Sequence, residues 1–133
     1  MNNENKNKIT DSIKEQEIEV IKEISQEILD KLKSLPKNKL GLMVIKGPII
    51  GERFFINKKI FTIGRNPDSD ILLDDITVSR QHAVIEKKGD DFLIKDMESL
   101  NGTYINGKII ELSRLNNGDR IQIGKYLFLF FSS

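Results

Sequence analysis

Four short stretches of the 133-residue chain carry residues that could do polar chemistry together. They are Gly64-Arg65, Ser79-Arg80-Gln81-His82, Asn101-Gly102-Thr103 and Asn106-Gly107. Arginine presents a planar fork that grips two oxygens of a phosphate. Serine and threonine hydroxyls donate single bonds, and an asparagine amide can bond both the donor and the acceptor of an extended backbone. Such a set suits a phosphate carried on a peptide, and loop-borne arginines are an established way of reading phosphorylated motifs. The set works only if the separate stretches meet at one end of a rigid scaffold.

Rival chemistries fit less well. Ser79 and His82, with Asp74, Asp75 or Asp96, could suggest a hydrolytic triad. Ser79 does not stand in a Gly-x-Ser-x-Gly elbow, and triads are assembled from separated segments rather than one short turn. No catalytic residue is therefore expected. Asp68, Asp70, Asp74 and Asp75 could suggest calcium. They run into apolar Ile71-Leu72-Leu73, without the Gly and Glu that a calcium loop needs at its sixth and twelfth positions. Phosphate-cradling and dinucleotide-binding glycine loops are absent. The absence of Cys excludes disulfides, zinc-thiolate sites and cysteine nucleophiles, and a single His excludes a multi-histidine metal site. Neither a metal nor a cofactor is expected. Lys and Arg total 21 against 20 Asp and Glu, a net charge of +1 that argues against a nucleic-acid footprint. No apolar run approaches the roughly 20 residues that span a bilayer. Met1–Lys8 lacks the apolar core of a secretory signal, so the cytoplasm is the expected address.

All nine Gly residues lie between Gly41 and Gly124, and all nine Phe and Tyr between Phe54 and Phe131. The chain thus divides into two types of sequence. Residues 1–11 are polar and read as a disordered tail. Residues 12–35 predict an amphipathic helix, with Ser12 and Glu15 as a capping box and an apolar stripe through Ile13, Ile18, Ile21, Ile24, Ile28, Leu32 and Leu35. Pro36 ends it and opens a linker over 36–41. Residues 42–133 read as all-β. Nine short runs predict strands: Leu42–Ile45, Arg53–Ile56, Ile60–Ile63, Ile71–Leu73, Ala83–Glu86, Phe92–Lys95, Thr103–Ile105, Arg120–Ile123 and Tyr126–Phe131. Turn dipeptides such as Asn101-Gly102, Asn106-Gly107 and Asn117-Gly118 separate them, a pattern suited to a sandwich or barrel.

In order and spacing, Gly64-Arg65, Ser79-x-x-His82, Asn101-Gly102-Thr103 and Asn106-Gly107 resemble the forkhead-associated (FHA) domain. The resemblance runs from about Leu42 to Phe131, and includes Phe61-Thr62-Ile63 before Gly64 and Gly118-Asp119-x-Ile121-x-Ile123-Gly124 near the end. It implies an eleven-stranded β-sandwich that binds phosphothreonine peptides through loops at one end, without catalysis. It implies that Arg65 pairs with the phosphate, that Ser79 donates to a phosphate oxygen, that Arg80 touches the phosphopeptide and that Asn101 bonds its main chain. Gly64, His82, Gly102 and Asn106 are expected to shape the loops. Leu100 stands where some members carry Ser or Thr as another phosphate donor, so Thr103, counted among the peptide-binding residues, or a backbone N–H is expected to supply that bond, while Thr103 and Asn106 also brace the turn.

A tail before a single such domain, with Ser99-Leu100-Asn101-Gly102-Thr103-Tyr104, resembles small bacterial FHA regulators. Thr10, the sole Thr before residue 62, is then a candidate phosphosite. The expected partners are phosphothreonine proteins and a Ser/Thr kinase, with self-association through the helix as a further surface. The alternative reading is a scaffold that uses the helix and sandwich without phosphate.

Overall fold

The computed structural model describes residues 26, 27, 30 and 40–132. Alternating apolar residues, punctuated by turns, fold into eleven strands: β1 Leu40–Lys46, β2 Arg53–Ile56, β3 Ile60–Gly64, β4 Ile71–Leu72, β5 Ala83–Lys88, β6 Asp91–Asp96, β7 Thr103–Ile105, β8 Lys108–Ile110, β9 Leu112–Leu115, β10 Arg120–Ile123 and β11 Tyr126–Ser132. They form a six-stranded sheet, ordered β2-β1-β11-β10-β7-β8, and a five-stranded sheet, ordered β4-β3-β5-β6-β9. Every pairing is antiparallel except β3 with β4. Among the described residues, the expected all-β sandwich of eleven strands is what forms.

The core lies between the sheets. Phe61, Ile63, Ile85 and Ile94 enter it from the smaller sheet, and Leu40, Leu42, Val44, Ile121, Ile123, Phe128 and Phe130 from the larger. Each set alternates along its strand, as a half-buried sheet face requires. Phe92 meets Phe130 edge-to-face, with centroids 5.8 Å apart, and so links the two layers.

Two strands escaped the sequence reading. β8 and β9 expose most of their residues and show little apolar alternation. β1 also begins at Leu40, inside the expected linker, because Leu40 is fully buried against the core. The predicted helix over 12–35 falls outside the described residues except at Gln26, Glu27 and Asp30, which are helical. The tail and Thr10 also lie outside them. Among the described residues, no helix is long and apolar enough to cross a membrane.

Strand directions gather one group of loops. Ile63 near the end of β3 pairs with Ala83 at the start of β5, and Ala83 pairs with Asp96 at the end of β6. In the other sheet, Ile123 at the end of β10 pairs with Thr103 at the start of β7 and with Tyr126 at the start of β11. The loops leaving β3, entering β5, and joining β6–β7 and β10–β11 therefore share one end of the sandwich.

Candidate functional site

Main-chain bonds first lock the loops together. Arg65 N–H donates to Ser79 C=O at 3.0 Å, and Asn66 N–H donates to Arg80 C=O at 3.1 Å. Gly64 permits this approach, because a Cβ there would lie 2.1 Å from the Arg80 carbonyl oxygen. The Arg65 side chain is then pinned where it leaves the strand. Its Nε–H donates to the Val78 carbonyl at 3.1 Å, which leaves the four N–H groups on Nη1 and Nη2 for a ligand.

Ser79 is held from both sides. Its N–H donates to His82 Nδ1 at 3.1 Å, and its Oγ accepts the Leu100 N–H at 2.9 Å. With a donor already on the oxygen, the hydroxyl proton is free to point outward. His82 is fully buried and bridges two loops. Because Nδ1 accepts, the ring proton sits on Nε2, which donates to Gly102 C=O at 2.9 Å. Gly102 adopts a φ of 81°, a left-handed conformation that favours glycine.

Asn101 is exposed, and its Nδ2 donates to Thr77 C=O at 3.0 Å. That bond fixes the amide and leaves its Oδ1 and second N–H for an extended peptide. Arg80 is exposed beside Ser79. Arg65, Ser79, Arg80 and Asn101 thus stand on adjoining loops at one end of the molecule.

Two expected residues sit elsewhere. Thr103 is fully buried, and its hydroxyl donates to Asp96 Oδ1 at 2.8 Å. It holds the loop from beneath and is not presented to a ligand, so it does not replace the donor missing at Leu100. Asn106 lies at the far end of β7. Its Nδ2 donates to Asp119 at 3.0 Å, and its Oδ1 accepts the Arg120 N–H at 2.9 Å. With φ of 51° at Asn106 and 84° at Gly107, the pair makes the two-residue turn of the β7–β8 hairpin and does not support the loop cluster.

Thr77, Asp75, Asp96 and Ser99 hold these loops in place, a role the sequence reading did not assign them. Thr77 donates its hydroxyl to Asp75 at 2.5 Å and accepts the Lys125 N–H at 3.0 Å, tying the β4–β5 loop to the β10–β11 turn. The Thr77 hydroxyl and N–H hold the Asp75 carboxyl below its ordinary value of 3.8. Asp96 accepts from both the Ser99 hydroxyl (2.5 Å) and Thr103, closing the β6–β7 loop. The Asp-x-Thr and Asp-x-x-Ser spacings were the available signals, since short polar side chains at such separations close turns.

The FHA domain family is matched over residues 61–124. An oxoglutarate dehydrogenase inhibitor of Corynebacterium jeikeium is 46% identical over 101 residues, covering 76% of this chain and 70% of that protein. The glycogen accumulation regulator GarA of Mycolicibacterium smegmatis is 44% identical over 101 residues, covering 76% of this chain and 64% of that one. Mycobacterium tuberculosis EmbR, solved in complex with a low-affinity phosphopeptide, superposes with a TM-score of 0.69 at 32% identity, over 80% of this chain and 28% of EmbR. With its sandwich, its loop cluster and these likenesses in agreement, the chain belongs to the forkhead-associated domain family.

Proposed function

We propose that the loop cluster binds a phosphothreonine peptide and that the protein acts as a non-enzymatic bacterial adaptor in Ser/Thr-kinase signalling in the cytoplasm. The observation that carries this reading is the meeting of Arg65, Ser79 and Asn101 on loops bonded to one another. In this reading the Arg65 Nη groups pair with two phosphate oxygens and the Ser79 hydroxyl donates to a third. Arg80 adds positive charge at the rim, and the Asn101 amide bonds the peptide backbone. The donors are held before the ligand arrives, so little ordering cost falls on binding. The phosphothreonine-bearing partner is extended, because Asn101 can reach both a C=O and an N–H of its main chain.

Calorimetric titration with a phosphothreonine peptide and its unphosphorylated twin tests the reading. The phosphorylated form is expected to bind more tightly by well over about 1.4 kcal/mol, a tenfold difference. Equal affinity for the two would favour the phosphate-independent scaffold.

A further inference from the structure

The β2-β1-β11 ribbon has a second apolar face that the sandwich does not cover. Leu42 and Val44 of β1, and Phe128 and Phe130 of β11, point into the core. Pleating turns the alternate residues outward: Met43, Leu129 and Phe131. Register places Met43 between Leu129 and Arg53, and Gly41 between Phe131 and Phe55. On the outside of a two-layer sandwich these side chains would meet water. Instead Met43 is 0% exposed, Leu129 5% and Phe131 7%. The other sheet cannot bury them, because it packs on the opposite face.

One described contact reaches this side from outside the sandwich. Arg53 Nη2 donates to the Glu27 carboxylate at 2.8 Å. Glu27 lies with Gln26 and Asp30 in a helical turn, where the Gln26 amide donates to Asp30 at 2.9 Å, and all three residues are exposed. At about 100° per residue, these three fall within an arc of about 100°. On the same wheel Ile21, Ile24, Ile28, Leu32 and Leu35 fall within an arc of about 80°, centred about 150° away. The sequence thus sets an apolar stripe opposite the side that Gln26, Glu27 and Asp30 expose.

We propose that residues 18–35 of the same chain lie across the outer face of the β2-β1-β11 ribbon as a third layer, sealing Met43, Leu129 and Phe131. The occupant is this segment because Glu27 is already at Arg53 and its sequence carries an apolar stripe on the side opposite the exposed Gln26, Glu27 and Asp30. The four residues between Leu35 and Leu40 span up to about 17 Å when extended, and the five residues before them add about 1.5 Å each in a helix, so a helix ending at Leu35 can pack on the sheet of its own chain. The domain is then an α-on-β-on-β unit rather than a sandwich with a loose leader.

The chain has no Cys and no Trp, so introduced probes report alone. A full-length Phe131→Trp protein is expected to emit in the blue, as a buried indole does. The same protein carrying Ile24→Asp and Ile28→Asp is expected to shift to the red while circular dichroism still shows β-sheet. Separately, Glu27→Cys with Arg53→Cys is treated with a short bismaleimide. This pair removes only an exposed ion pair, which contributes little to docking. An intrachain cross-link in monomeric protein supports the proposal. A cross-link between chains shows that a second copy covers the face and overturns it, as does red emission from the single Phe131→Trp protein. The cross-link stands on its own should the Trp protein fail to fold.

Discussion

Arg65 arrives at the rim with its Nε–H bound to the Val78 carbonyl, so truncating it removes the remaining guanidinium donors and a tether of the β4–β5 loop together. Arg65→Ala is expected to weaken phosphothreonine peptide binding by about 2–5 kcal/mol, the range for removing one partner of a buried charge pair. Calorimetry should show the unphosphorylated peptide unaffected. Arg65→Lys keeps the charge but loses the fork, so it is expected to recover part of the affinity only. Ser79→Ala has two effects. It deletes the outward donor, and it leaves the Leu100 N–H without its acceptor. A loss of about 1–3 kcal/mol in phosphopeptide binding is expected. The burial of Thr103 marks where residue type alone misleads: Ser and Thr offer similar hydroxyls, but only tertiary packing tells which faces water. Thr103→Val is accordingly expected to lower the thermal midpoint by stripping a donor from Asp96, rather than to remove a direct phosphate contact.

At the scale of strands and turns, the two ends of the sandwich separate stability from binding. Gly64→Ala would drive a Cβ into the Arg80 carbonyl, where backbone cannot yield as a flexible side chain could. It is expected to lower the melting temperature and abolish phosphopeptide binding together. Asn106→Ala breaks the brace between the β7–β8 turn and the start of β10. Stability should fall by about 1–2 kcal/mol in urea titration, while phosphopeptide affinity stays unchanged, because the turn is at the other end of β7. An affinity loss in Asn106→Ala would show that the two ends are coupled. The nine strands predicted from apolar runs are present, β1 three residues longer, several others a residue or two longer, and β4 a residue shorter, ending at Leu72. β8 and β9 were invisible because edge strands with exposed faces need no alternation; their backbone pairing is supplied by β7 and β6.

For the whole molecule, acid is a general probe of the loop framework. Asp75 is held below 3.8 by the Thr77 hydroxyl and N–H, and Asp70 below 3.8 by the Lys58 ammonium and the Thr62 N–H. A carboxyl depressed by folding adds stability above its unfolded value and loses it as pH falls through the folded one. Urea midpoints should therefore be flat near neutrality and drop below about pH 4, with a smaller drop in Asp75→Asn. Side-chain carboxyl titration by NMR should place both midpoints below 3.8; a midpoint above that value at Asp75 would contradict the Thr77 clamp. The order of residue types along the chain determined much by itself. Period-two apolar runs and Asn-Gly turns specified an all-β sandwich or barrel, since a strand buries one face and a turn needs its own backbone chemistry, and the family resemblance chose the sandwich. The spacing of Gly64-Arg65, Ser79-x-x-His82 and Asn101-Gly102 pointed to the loops of the candidate site, which the structure brings to one end of the sandwich. Only the tertiary structure decided that His82 and Thr103 face inward, that Asn106 sits at the opposite end, and that Thr77 joins the two sheets. Those outcomes depend on contacts between residues as far apart as Thr77 and Lys125, and strand register, which no local pattern encodes, sets which distant side chains meet.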